Sequence, residues 1–194
     1  MPAKQKYCAW EVLGLALMAV ESCKNRFYEL GKKWPVKDDA EMAKVLVCLS
    51  FQESSWDKTE PYCDFDRLAK AATTSATGLT QMTTAAWEQV QTAVLEYSKK
   101  EKRPLTDRTD PKTSMFFGAA YLLGEFMRKG SGTWRNALNH YYAGGIRNSA
   151  GASYASKILD KHMKLFDWVN MTTMVAANSA SIAKIGAYGR REYR

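Results

Sequence analysis

Apolar residues recur at helical spacing along most of this chain. Ala9, Leu13, Leu17 and Val20 fall three or four apart, which predicts an amphipathic helix over about 7–33. Its end is expected at Trp34-Pro35, because proline disfavours helix in the residue before it. Asp38, with Glu41 three residues on, reads as a helix cap. The helix it opens carries Met42, Val45, Leu46, Leu49 and Phe51 and should end near Glu53. Thr83 or Thr84 opens a third helix, running to about Ser98. Asp110-Pro111 opens a fourth, with Asp as cap and Pro in the first turn. Its apolar face is Met115, Phe116, Ala119, Leu122, Leu123 and Phe126, and Gly130 should stop it. A short helix from Thr133 reaches Tyr142 before Gly144-Gly145 breaks it, and a last one spans about 152–168. No stretch alternates with period two, so the expected class is mainly α.

Two stretches lack this pattern. Residues 54–77 are polar and irregular, with Pro61 and several acids, and loops of that length in a compact domain are usually functional or disordered. Residues 171–194 are rich in Ala, Ser and Gly and end in Arg190-Arg191-Glu192-Tyr193-Arg194, which reads as a basic arm or docking segment. The expected organisation is one domain over 1–170 and a tail over 171–194. A single domain is what 194 residues allow, with about 70% of the unfolded surface buried on folding.

Charge narrows the partners without choosing one. Lys and Arg number 28 against 20 Asp and Glu, a net +8, so nucleic acid, anionic lipid and bacterial cell wall all qualify. The apolar run Val12–Val20 is too short to span a bilayer. Lys4 and Lys6 precede it as in a signal peptide, but Glu11 opens the run and no small-x-small cleavage site follows, which favours a folded helix. Of the four cysteines, Cys8 and Cys23 on one helix would lie about 22 Å apart, too far for a disulfide. Cys48 reads as a small buried residue. No C-x-x-C occurs and only His140 and His162 are present, so neither metal nor cofactor is expected. Free thiols fit synthesis in a reducing cytoplasm.

Glu53 is the most informative acid. It follows an apolar run and sits at the negative end of a helix dipole. Both influences disfavour the carboxylate, and a carboxylic acid still protonated near neutral pH is what a general acid for glycosidic cleavage requires. Ser75-Ala76-Thr77-Gly78-Leu79-Thr80-Gln81 adds a segment of small residues that lets backbone approach a ligand, with Gln81 able to donate and accept. Glycosidases normally use two carboxylates, and Asp57, Glu60, Asp64 and Asp66 are the candidates near Glu53 in sequence, although a solvated loop acid is their simpler reading. Trp56 and Tyr62 are candidates to stack on sugars, while Trp87 and Trp134, at helical spacing, read as core.

Taken in order, these segments resemble the lytic transglycosylases of the goose-lysozyme/SLT superfamily. Phe51-Gln52-Glu53-Ser54-Ser55-Trp56-Asp57 is similar to the family's Glu-Ser motif, and Gly78-Leu79-Thr80-Gln81 to its Gly-Leu-x-Gln motif. Asn139-His140-Tyr141-Tyr142-Ala143-Gly144-Gly145 falls where the family has Ala-Tyr-Asn-Ala-Gly, and Tyr154 with Lys157-Ile158-Leu159 resembles the closing Tyr-x-x-Lys-Val-Leu element. The resemblance covers about 36–168. Two positions depart from it: Thr80 replaces the usual Met, and Tyr142 stands where most members have Asn.

The resemblance implies a lysozyme-like helical domain with a long active-site loop, and Glu53 as sole catalytic acid/base. It implies glycan contacts from Ser54, Gly78, Leu79, Gln81, His140, Tyr141, Tyr142 and Tyr154, with Tyr141, and Tyr154 beside it, placed near Glu53. The implied activity is cleavage of peptidoglycan between N-acetylmuramic acid and N-acetylglucosamine with formation of a 1,6-anhydro end. A hydrolytic muramidase of the same fold and a non-catalytic virion component are the alternatives. The His-aromatic-aromatic-Gly version is similar to phage-borne members. That implies synthesis in a host cytoplasm and action at the wall or in the periplasm, as a free endolysin or a virion component. Virion or tail proteins are then possible partners of the first helix or the tail. Nucleic acid has only charge in its favour, since no recognition motif accompanies the lysines near position 100 or the terminal arginines.

Overall fold

Local caps start most of the helices where the sequence signals them. Asp38 Oδ1 accepts from the amides of Ala40 and Glu41, Asp110 Oδ2 from Thr113 and Thr133 Oγ1 from Asn136. Each bond satisfies an amide that the first helical turn leaves unpaired. A computed structural model describes residues 6–7, 9–54, 65–66, 76–128, 131–144 and 148–165. Among them are α1 (Ala9–Glu29), α2 (Asp39–Ser54), α3 (Thr84–Gln89), α4 (Pro111–Met127), α5 (Trp134–Ala143), α6 (Ser149–Ser156) and α7 (Met163–Leu165). A π turn over Val90–Val94 extends α3, another over Lys157–His162 joins α6 to α7, and a 3-10 turn spans Leu105–Thr109. One short antiparallel pair, β1 (Lys6–Tyr7) with β2 (Phe65–Asp66), accompanies them. The chain is mainly α, as its periodicity predicts.

Four helix limits differ from expectation. The first helix ends at Glu29, because Gly31 adopts a left-handed φ of 66°. There the amide of Lys32 reaches the Phe27 carbonyl and that of Gly31 reaches Tyr28, a Schellman closure that acts before Pro35 does. The third helix stops at Val94 rather than Ser98, where Glu96 takes a φ of 50°. The fourth ends at Met127, short of Gly130. The last begins at Ser149 rather than 152, because the Asn148 side chain caps the Gly151 amide.

α2 and α4 form the centre. Every residue from Val45 to Phe51 of α2 is buried, Ser50 included, and α4 is buried without a break from Phe117 to Leu123. A helix apolar on all sides belongs in the interior. α1 packs on both, α5 packs on α4, and the π turn after α6 packs on α2. Trp87 and Trp134 are core residues, as expected, and Trp87 stacks on Phe117 with ring centres 3.8 Å apart. Cys23 and Cys48 are both fully buried. Cys8, Cys63, Trp56, Asp57, Glu60, Tyr62, Asp64 and the 171–194 tail lie outside the described residues. Among the described residues no helix is long and apolar enough to cross a membrane.

Candidate active site

α2 leaves the core at its C-terminal end, and this places Glu53. Phe51 is fully buried, Gln52 and Glu53 are half-buried, and Ser54 turns back inward. The Ser54 hydroxyl donates to the Ser50 carbonyl at 2.7 Å. That bond commits the hydroxyl proton within the last helical turn, so Ser54 shapes the helix end.

One partner of Glu53 lies 101 residues away. Tyr154 of α6 is buried, and its phenol donates to Glu53 Oε1. Burial first, then the charge of Glu53, push the Tyr154 phenol well above its ordinary pKa. It is therefore a neutral donor at any physiological pH. Two features hold α6 there. His162 Nε2 lies 2.8 Å from Gln52 Oε1 and its ring packs edge-on against Phe51. Tyr154, Ile158 and His162 are each four apart and all buried. Steps of four overshoot the 3.6-residue α turn, and the wider π turn absorbs the excess.

At its other end α6 is stapled to α5. Asn139 Nδ2 donates to the Asn148 carbonyl, and the Asn148 amide donates to Asn139 Oδ1. A Cβ on Gly151 would come within 2.2 Å of Asn139 Oδ1, so the staple requires glycine there. This contact lays Tyr142 over Tyr154, with ring centres 4.9 Å apart and planes 27° apart.

Tyr141 points elsewhere. Its hydroxyl donates to the Thr80 carbonyl at 2.6 Å, within the Gly-Leu-x-Gln segment. Burial of the phenol, then the charge of Glu53, raise its pKa well above the ordinary value. Of the two tyrosines expected near Glu53, Tyr154 donates to it, whereas Tyr141 donates to Thr80.

The 78–82 segment is a tight turn closed by a bridge between Thr77 and Met82. Gly78 has a φ of 84°, and a Cβ there would lie 2.1 Å from the Arg108 carbonyl. Leu79 is fully buried and anchors the turn. Gln81 takes a left-handed φ of 49°, uncommon for a residue with a side chain, and its Nε2 donates to the Gly78 carbonyl. Gln81 braces its own turn. Thr80, the first departure from the family pattern, is fully buried, with Oγ1 donating to the Ser114 carbonyl. A Cβ on Gly118 would sit 2.5 Å from Thr80 Cγ2. The small hydroxyl residue is matched to a hydrogen-bonding, sterically closed site on α4 that has no room for a longer chain.

His140 does not join the candidate glycan contacts. It is 4% exposed, and its Nδ1 lies 3.4 Å from Glu125, itself 1% exposed. Arg128 holds both Glu125 oxygens, at 2.6 and 2.7 Å. Neighbouring residues on a helix point about 100° apart, so Tyr141 can face the turn while His140 faces α4. The sequence reading missed Ser114, Gly118 and Asn148. Only Asn148 had a local signal, as an N-cap type two residues before a small-residue stretch. Asp66 lies in β2, described only by its backbone. Among the described residues no three His, Cys, Asp or Glu side chains converge as a metal set. Compared with protein-family models, curated proteins and solved structures, the chain matches none.

Proposed function

We propose that the chain is a lytic transglycosylase that cleaves the peptidoglycan strand with Glu53 as its acid and then its base. The observation that carries this reading is the donation of the buried Tyr154 phenol to Glu53 at the emerging end of α2. A donor on Oε1 helps to hold the carboxyl group in place at the end of α2. Glu53 protonates the oxygen leaving N-acetylmuramic acid, and the substrate's own N-acetyl group helps to carry the positive charge. Glu53 then takes the proton from the C6 hydroxyl of the same sugar as that oxygen attacks C1, which leaves a 1,6-anhydro end. Tyr154 stabilises the carboxylate between the two steps. General acid–base transfer of this kind contributes about 10²–10⁴-fold. Orientation by the 78–82 turn and exclusion of water supply the rest.

The +8 charge fits this substrate, because the wall's peptide carboxylates and phosphates attract a cation within about 8 Å at physiological salt. The place of action is the wall, with a phage route for delivery. The test is Glu53→Gln in a turbidity assay on purified peptidoglycan. Lysis should be lost while the melting temperature stays within a few degrees, and a mutant that keeps most of its activity would remove Glu53 from the chemistry. Mass spectrometry of the products separates anhydro ends from the reducing ends that a muramidase would leave.

A further inference from the structure

Tyr142 is the one large apolar residue among the described residues that is both exposed and in contact with the Glu53 cluster. It is 55% exposed, and the other exposed large apolar residues, Tyr28, Leu105 and Met127, lie on α1, the 3-10 turn and the end of α4. One face of its ring is covered by Tyr154, whose hydroxyl holds Glu53. That contact fixes the plane of the ring and leaves the opposite face to solvent.

An exposed aromatic face held rigid beside a catalytic carboxyl has a specific chemical use. Saccharide rings carry a face of C–H bonds whose positive edge suits a negative π-face. Because Tyr142 is already stacked, little side-chain freedom is lost when a ligand settles on it. The position is where the family pattern has Asn, so a hydrogen-bonding amide has been exchanged for apolar area. A ring stacked on Tyr142 would sit roughly 10 Å from the Tyr154 ring, the 4.9 Å already observed plus one further stacking distance. Tyr142 is linked to Glu53 through Tyr154, so a sugar on its outer face would neighbour the one being cut.

We propose that the outer face of Tyr142 is a saccharide-stacking platform that grips the glycan chain beside the scissile bond, giving the enzyme a preference for long strands over short fragments. The proposal rests on the reading of Glu53 as the catalytic acid. It assigns Tyr142 to substrate grip and not to proton transfer.

The test uses Glu53→Gln protein, in which binding is measured without cleavage, and calorimetry with purified uncrosslinked glycan strands and with the N-acetylglucosamine–N-acetylmuramic acid disaccharide. Adding Tyr142→Ala should weaken strand binding about 5–150-fold, the range for one aromatic stacking contact. Disaccharide binding should change far less, because the short ligand gains little from a neighbouring sugar position. Tyr142→Phe should restore strand binding. Tyr142→Leu, which covers Tyr154 but offers no π-face, should not. In the active protein the alanine change should raise KM on strands more than it lowers kcat. Strand binding restored by Leu, or unaffected by Ala, would overturn the platform. If the unmodified protein lyses wall and Glu53→Gln abolishes lysis, that outcome leaves the catalytic reading standing. Tyr142-dependent strand binding by a protein that never lyses wall would instead refute the catalytic reading and with it the place of Tyr142 beside a scissile bond, leaving only a glycan-binding face.

Discussion

Gly78→Ala tests the geometry of the candidate site most directly, because Gly31 provides a matched control. Both glycines have left-handed backbones, with φ of 84° and 66°. An L side chain in that region costs about 1–2 kcal/mol, and the stiffer unfolded chain of alanine returns about 0.4–1. Gly31→Ala meets nothing within 4 Å and should therefore cost about 1 kcal/mol. Gly78→Ala puts a methyl 2.1 Å from the Arg108 carbonyl and 2.6 Å from Ser114 Oγ. The carbonyl is backbone and cannot rotate away, so overpacking of about 1–3 kcal/mol is added. The expected difference between the two variants is about 1–3 kcal/mol, or roughly 2–12 °C in melting temperature for a chain of this size. Urea unfolding of both variants measures it. Activity on peptidoglycan should fall in Gly78→Ala and hold in Gly31→Ala, because only the first displaces the turn that Tyr141 holds through Thr80. Equal destabilisation by the two changes would refute the close approach of this turn to the 3-10 segment.

Other expectations follow from the same contacts. Tyr154→Phe keeps the buried ring but removes the donor to Glu53, and a hydrogen bond to a charged group is worth about 1.5–3 kcal/mol. The turnover number should drop roughly 10–150-fold with the fold retained by circular dichroism. Arg128→Ala leaves the Glu125 carboxylate buried without its two strongest donors. Because the arginine side chain is 42% exposed, water will replace part of the loss, and about 2–3 kcal/mol in urea unfolding is expected. Burial raises the Cys23 thiol and the Tyr141 and Tyr154 phenols. The folded chain holds these protons more tightly than the unfolded chain, so their contribution to stability should be constant at neutral pH and decline through pH 9–11. Melting temperatures across that range check the sign, and a rise in stability with pH would contradict it.

The sequence by itself determined the class and most of the helix starts. Asp38, Thr83, Asp110 and Thr133 act within three residues of themselves, so their capping bonds were readable from residue type and spacing. The sequence also singled out Glu53, the 78–81 segment, Tyr141, Tyr142 and Tyr154 as one set, through the order of their motifs. It could not tell what each would touch. Gly31 closed the first helix before Pro35 could, because its left-handed backbone turns the chain there. The last helix starts at the Asn148 cap rather than at 152, and the reason for the glycine in its first turn is Asn139 on another helix. His140 and Tyr141 are adjacent in one motif, yet a 100° step along α5 sends one to Glu125 and the other to Thr80. Thr80 is decided by Gly118 and Ser114, more than thirty residues on. The phenol that holds Glu53 comes from 101 residues away, brought there by the Asn139–Asn148 staple and the π turn against α2. Periodicity and caps are local and therefore legible, whereas the partners of buried polar groups are chosen by packing across the whole chain, which only the tertiary structure decides.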